Sequence, residues 1–206
     1  SDSEHIAVTL HIPGAFSLYN ALAALAAAQA LGIPIEDAAQ ALSLCQGVRG
    51  RAEVVPTDTD YTVLIDYAHT PDALTKAIAS IKELSGGRTI VVFGCGGNRD
   101  ATKRPIMGAA ALAADYAVVT SDNPRHENPD AIIADIVAGM GDSQDKYEIV
   151  PDRRSAIRRA IELADANTSV LIAGKGHEDY QLVGDEVLSF DDRVVAREEL
   201  ERRFVG

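Results

Sequence analysis

Four short apolar runs, rich in β-branched residues, set the strongest limit on what this chain can fold into. They occupy 62–65, 89–93, 116–120 and 169–173, reading TVLI, TIVVF, YAVVT and SVLIA. Between them lie stretches of helical length that begin near Asp72, Lys103, Asp130 and Arg153. Continuous apolar strands, rather than alternating ones, are buried on both faces, and their alternation with amphipathic helices predicts an α/β fold: a Rossmann-like, mostly parallel sheet with helices on both faces. A polar run at 186–190 is expected to add an edge strand, and 192–204 a closing helix. Upstream, 17–31 is Ala/Leu-rich, opens on Ser17 as a cap and stops at Gly32, so it reads as a helix, with a second over 35–44. The Gly/Arg-rich stretch QGVRGRAE at 46–53 breaks this pattern and marks a junction between a short helical part, 1–48, and a larger part, 49–206.

Composition narrows the function classes. With 206 residues and 47% hydrophobic content the chain can bury a core. Its net charge of −12 repels nucleic acid and anionic membranes, so neither is an expected partner, and any anionic ligand must be met by local arginines. Two cysteines, Cys45 and Cys95, give neither a disulfide framework nor zinc-site spacing; no metal ligand set is expected, and a reducing cytoplasmic location fits. No apolar run reaches the roughly 18 residues of a membrane span, and the polar opening is unlike a signal peptide.

Ligands of doubly wound sheets bind outside the carboxyl ends of the strands. Four unusual segments follow strands here: DYAHTP (66–71), GCGGNRD (94–100), SDNPRHENP (121–129) and GKGHED (174–179). GCGGNRD joins backbone-exposing glycines to Arg99, with Lys103 and Arg104 on the next helical turn; it reads as a carboxylate or phosphate site, or as a tight strand-to-helix turn. In SDNPR, Arg125 offers a planar fork for a carboxylate, or the segment is an Asx/Pro turn with Arg125 solvated. Glu178 after GKGH would suit an ammonium group, and opposite Arg125 it would complete a zwitterion site. His177 reads as a general base or as a structural hydrogen-bonder. Asp66 meets a ribose hydroxyl or caps a helix, with His69 beside it. Asn20 and Arg51 are weaker signals, read more readily as ordinary helix-surface or interface residues than as functional ones, and Cys95, with no evident base partner, reads as a small partly buried side chain. No G-x-x-x-x-G-K-[ST] run occurs, so there is no P-loop in these residues.

The ordered set GAFSLYNALAA, VRGRAE, LIDYAHTPDAL, VVFGCGGNRDATKRPIMG, VTSDNPRHENP, LIAGKGHEDYQ and FDDRVVAREEL resembles the Mur ligases, in particular the members that add meso-diaminopimelate to UDP-N-acetylmuramoyl-L-alanyl-D-glutamate during peptidoglycan synthesis. The resemblance covers nearly the whole chain, and DNPR is the diaminopimelate signature, from which lysine-adding relatives depart at the arginine. It implies an ATP-dependent amide ligase: ATP phosphorylates the D-glutamate carboxylate, the diaminopimelate amine attacks the acyl phosphate, and Mg2+ offsets the phosphate charge. Residues 1–48 would be the tail of the central ATP-binding domain and 49–206 the amino-acid-binding domain, with the UDP-sugar domain, P-loop, metal ligands and modified lysine lying outside these residues. By the same resemblance Arg125, with Asp122, Asn123 and Pro124 shaping its loop, would clamp the distal carboxylate of diaminopimelate. Arg99 would meet another carboxylate, and the Gly174 backbone and Glu178 the distal ammonium. Asn20, Arg51, Asp66 and His69 would neighbour the nucleotide; no residue is assigned a catalytic role. The sequence departs from the family where Ser17 replaces a frequent Asn. A stand-alone diaminopimelate-binding module and a lysine-adding ligase remain the alternative readings.

Overall fold

The structure, a computed structural model, describes residues 5–12 and 14–205. They divide into two compact units, Ser1–Val48 and Arg49–Gly206. In the first, α1 (Ala15–Ala30) and α2 (Ile35–Leu44) are joined through Gly32, whose left-handed backbone (φ 77°) ends the first helix. Helix α1 starts two residues before Ser17, on Gly14 and without a side-chain cap, so the expected Ser17 cap is not used; Ser17 N–H instead donates to the Gly14 carbonyl within the first turn. Segment 9–11 is tied to the end of α2 by Thr9 N–H donating to Ser43 Oγ (3.1 Å).

The second unit runs β1 (Glu53–Val55), β2 (Thr62–Asp66), α3 (Pro71–Ser85), β3 (Thr89–Phe93), α4 (Lys103–Ala111), β4 (Tyr116–Val119), α5 (Pro129–Ala138), β5 (Tyr147–Ile149), α6 (Arg153–Leu163), β6 (Ser169–Ala173), β7 (Tyr180–Val183), β8 (Glu186–Ser189) and α7 (Asp192–Val205). Six strands form one sheet in the order β1-β2-β6-β3-β4-β5, antiparallel only at β1. The run at 186–190 does not join this sheet. Its residues 186–189 pair with β7 in a separate two-stranded ribbon, their side chains all exposed with nothing to bury against a helix layer, while Phe190 beyond them packs against the core.

Strand periodicity divides the core between two faces. Leu64, Val91, Phe93, Val119 and Leu171 pack under α3, α4 and α5, whereas Val63, Ile65, Val92, Val118 and Ile172 pack under α6 and α7. All five residues of β3 and of β6 are buried. Full burial of each aliphatic side chain there contributes about 1.5–3 kcal/mol, which fixes these two strands at the centre. Three crossover helices start on side-chain caps: Thr70 accepts from Ala73 N–H, Asn128 from Asp130 N–H and Asp152 from Ser155 N–H, with Pro71 and Pro129 in the first turns of α3 and α5. The loops at the carboxyl ends of the parallel strands, short after β2 and β5 and longer after β3 (94–102) and β4 (120–128), lie at one edge of the sheet.

Candidate functional site

At that edge a cleft of about 370 Å³ is lined by residues from all four loops: Tyr67 and His69; Gly94, Cys95, Gly96, Arg99 and Lys103; Asp122, Asn123 and Arg125; and Gly174, Glu178 and Tyr180. The volume suits a small metabolite. Charges of both signs meet in it, with Arg99, Lys103 and Arg125 against Asp122 and Glu178.

The loops after β3 and β4 are interlocked by backbone. Gly97 N–H donates to the Asn123 carbonyl (2.8 Å). A Cβ on Gly97 would stand 1.9 Å from the Pro124 carbonyl oxygen, so only glycine allows this approach. A buried brace lies behind the contact: Arg104, 3% exposed, donates to Glu127 (2.8 Å) and Asp135 (2.9 Å), while Glu127 also accepts from Asn98 N–H. The Asn98 bond, followed by Arg104, holds the Glu127 carboxyl below its ordinary value. Arg125 has a positive φ of 52° and lays Nη1 on the Gly97 carbonyl (2.9 Å), leaving Nε and Nη2 as the edge of the fork that can take a carboxylate.

The loop after β4 is held from its other side by the ribbon. Arg125 N–H donates to the Leu182 carbonyl, Gly184 N–H to the Arg125 carbonyl, and Gln181 Nε2 to the Asp122 carbonyl (2.6 Å). Asn123 is buried and serves as a hub. Its Oδ1 accepts from Leu182 N–H (3.0 Å) and Lys175 Nζ (3.1 Å), and its Nδ2 donates to Glu178 Oε2 (2.9 Å). In the loop after β6, Gly174 has φ 113°, and a Cβ there would lie 2.7 Å from Asp122 Oδ2. Beneath the cleft, fully buried Arg153 forms a two-point ion pair with Asp192 (2.8 and 2.7 Å) and donates Nη2 to the Ala173 carbonyl (3.0 Å). Burial opposes the Arg153 charge, but Asp192 more than offsets this and the guanidinium holds its proton more firmly than usual.

The structure therefore brings Arg99, Asp122, Asn123, Arg125, Gly174, Glu178 and His69 to the same cleft. Pro124 is buried behind it, its carbonyl against Gly97. Arg51 and Asp66 do not line it. Arg51 is exposed, its guanidinium 5.0 Å from the centre of the Tyr67 ring, and the Tyr67 ring also meets His69 and His177 in tilted contacts (centroids 4.6 and 5.1 Å apart). Asp66 Oδ2 accepts from Ala52 N–H (2.8 Å), and burial raises its pKa despite that bond. Asn20 lies in the first unit, exposed on the rim of a mostly apolar groove of about 220 Å³. Cys95 is buried, and burial pushes its thiol up to about 12, which removes it as a nucleophile. Among the described residues no group of three His, Cys, Asp or Glu side chains could hold a metal ion, and no helix is long and apolar enough to cross a membrane.

A family model described as "Mur ligase, glutamate ligase domain" matches residues 50–176. The chain belongs to the Mur ligase family. Its Mur ligase relatives include the UDP-N-acetylmuramoyl-L-alanyl-D-glutamate--2,6-diaminopimelate ligases of Syntrophomonas wolfei, 52% identical over 193 residues, and of Caldanaerobacter subterraneus subsp. tengcongensis, 49% identical over 192. Each match covers 93% of this chain and 40% of the relative. A solved structure of a ligase with the same description superposes with TM-score 0.76 at 38% identity, over 99% of this chain and 42% of that one. The chain thus spans about 40% of the length of the curated relatives it matches.

Four residues of this Mur ligase site went unassigned from sequence: Tyr67, Lys175, Tyr180 and Gln181. Tyr180 and Gln181 sit in β7, a four-residue strand half-exposed along its length. Lys175, between two glycines, is fully buried. The sequence signal for it was position alone, two residues beyond a strand with no exposed side chain.

Proposed function

We propose that the second unit is the amino-acid-binding domain of a ligase that adds meso-diaminopimelate to UDP-N-acetylmuramoyl-L-alanyl-D-glutamate in peptidoglycan synthesis, with residues 1–48 as the tail of its central ATP-binding domain. The observation that carries this reading is the pairing of Arg125 with Glu178 across one small cleft. One presents a guanidinium fork and the other a carboxylate, which suits the zwitterionic far end of diaminopimelate; L-lysine, with a single carboxylate, would leave Arg125 without a partner. Arg99 is the second carboxylate contact, Asp122 adds negative charge beside Glu178, and the Gly174 backbone lies next to both. Held at this end, the amino acid offers its remaining amine to an acyl phosphate formed elsewhere, so these residues act by binding and orientation.

ATP and Mg2+ belong to the reaction of the whole ligase. Among the described residues no group of three or more His, Cys, Asp or Glu side chains could hold a metal ion and the sequence has no P-loop, so no phosphoryl-transfer step is assigned to them. Arg51, Asp66 and His69 are proposed as neighbours of the nucleotide, and Asn20 likewise within the first unit. The Tyr67 cluster with Arg51 offers a cationic, stacking surface for such a ligand. The UDP-muramoyl-dipeptide is the expected second substrate, cytoplasm the expected location, and neither nucleic acid nor membrane an expected partner.

Calorimetric titration of the chain with meso-diaminopimelate and with L-lysine tests the reading. Diaminopimelate is expected to bind in preference. Arg125→Ala should weaken it by roughly 2 kcal/mol, about 30-fold, through loss of a charged hydrogen-bonded pair, and should leave lysine unaffected. Equal affinity for the two amino acids, or an unchanged diaminopimelate affinity in the variant, would overturn the assignment.

A further inference from the structure

Lys175 is the one buried lysine among the described residues, at 0% exposure. A buried ammonium carries a large desolvation cost, and a well-packed apolar side chain in its place is often neutral or stabilising. Stability alone therefore gives little reason for a charge here. What the charge does is visible in its contacts. Nζ donates to Asn123 Oδ1 (3.1 Å) and Glu178 Oε2 (3.3 Å), and lies 5.5 Å from the centre of the Tyr180 ring. Because Oδ1 of Asn123 faces Lys175 and Leu182 N–H, its amide nitrogen is forced toward Glu178. Both hydrogen bonds to Glu178 fall on Oε2, so two donors of one small network, Asn123 Nδ2 and Lys175 Nζ, hold the carboxylate by a single oxygen.

We propose that Lys175 is a positioning residue that locks Asn123 and Glu178 together, so that Glu178 presents its other oxygen, Oε1, to an ammonium group in the cleft. The ligand part of this inference rests on the diaminopimelate reading; the locking of the network does not. Neutralising Oε2 from beneath leaves one oxygen, with one direction, for the ligand. An unlocked glutamate would rotate and lose that selectivity.

Two readouts on Lys175→Met keep the parts separate. Hydrogen exchange of the Leu182 amide, whose acceptor is Asn123 Oδ1, is expected to quicken about tenfold relative to the amides of β6, as a local opening and not a general loosening. Calorimetry is expected to show roughly tenfold weaker binding of meso-diaminopimelate, with 2-aminopimelate, which lacks the distal ammonium, unchanged. Unchanged Leu182 exchange, or equal losses for both ligands, overturns the proposal. If the unaltered chain binds neither ligand, the diaminopimelate reading fails, and the exchange result alone decides the role of Lys175. Should Lys175→Met not fold, Lys175→Gln, which keeps a donor without the charge, is read by the same exchange comparison.

Discussion

Asp192→Ala is expected to be the most damaging single truncation of a polar side chain in the second unit. Asp192 and Arg153 are both fully buried, and their two hydrogen bonds of 2.8 and 2.7 Å form a bidentate pair. Removing the carboxylate leaves a guanidinium with no access to water and only the Ala173 carbonyl at 3.0 Å and the Ser121 carbonyl at 3.5 Å as partners. An uncompensated buried charge of this kind costs about 3–5 kcal/mol. For a domain of this size each kcal/mol moves Tm by about 2–4 °C, so the midpoint should fall by roughly 6–20 °C. Urea unfolding followed by circular dichroism would read the same loss as a lower midpoint at unchanged slope. The control is Asp192→Ala combined with Arg153→Met. With the stranded charge removed, the double variant should be more stable than Asp192→Ala alone. A loss below about 1 kcal/mol in the single variant, or a double variant that is worse, would refute the argument.

Gly97→Ala should push the loops after β3 and β4 apart, because its Cβ would overlap the Pro124 carbonyl; diaminopimelate affinity by calorimetry should fall, and an unchanged value would contradict the interlock. Glu127 has a carboxyl held below its ordinary value of 4.5, first by the Asn98 N–H and then by Arg104. A depressed carboxyl adds stability that is present above that value and is lost as pH falls through its folded value. Glu127→Gln should therefore flatten the acid limb of a stability-against-pH curve, and a limb of unchanged slope would count against the brace. Burial pushes the Cys95 thiol up to about 12 while Cys45 is exposed. Ellman's reagent at neutral pH should label one thiol quickly and the second only on unfolding; two fast reactions would show that the glycine loop opens.

How far the sequence discloses this molecule depends on how much of each signal is local. The runs at 89–93 and 169–173 carry continuous apolar character because they are buried on both faces, and both emerge as strands with those limits. Strands β1 and β5 have three residues each and lie at the sheet edges, where half-exposed side chains erase the pattern. In the site, Arg99, Arg125 and Glu178 were legible as charged residues in loops after strands, since topology alone sends those loops to one edge. Lys175, Gln181 and the hub role of Asn123 were not, because each depends on the ribbon folding back over DNPR. Asp66 shows the reverse: its carboxylate was open to a ribose or a capping role, and in the fold it accepts from the Ala52 N–H, a left-handed residue (φ 44°) in the turn before β1.

The strand order also governs when the site can come into existence. Strand β6 lies between β2 and β3, so Thr62 and Thr89 both find their sheet partner in Ser169, far along the chain. Until that strand emerges and inserts, β2 has only the short β1 beside it, and β2 and β3 have no bond to each other. Pairing over such separations is slow, since much loop entropy is lost before any contact rewards it. During synthesis the glycine loop and DNPR, carried by the directly paired β3 and β4, can meet first, whereas DYAHTP and GKGHED join them only once residues 169–173 insert. A chain halted before that strand would expose the apolar edges of β2 and β3 together, which makes incomplete chains of this protein natural substrates for chaperones and proteases.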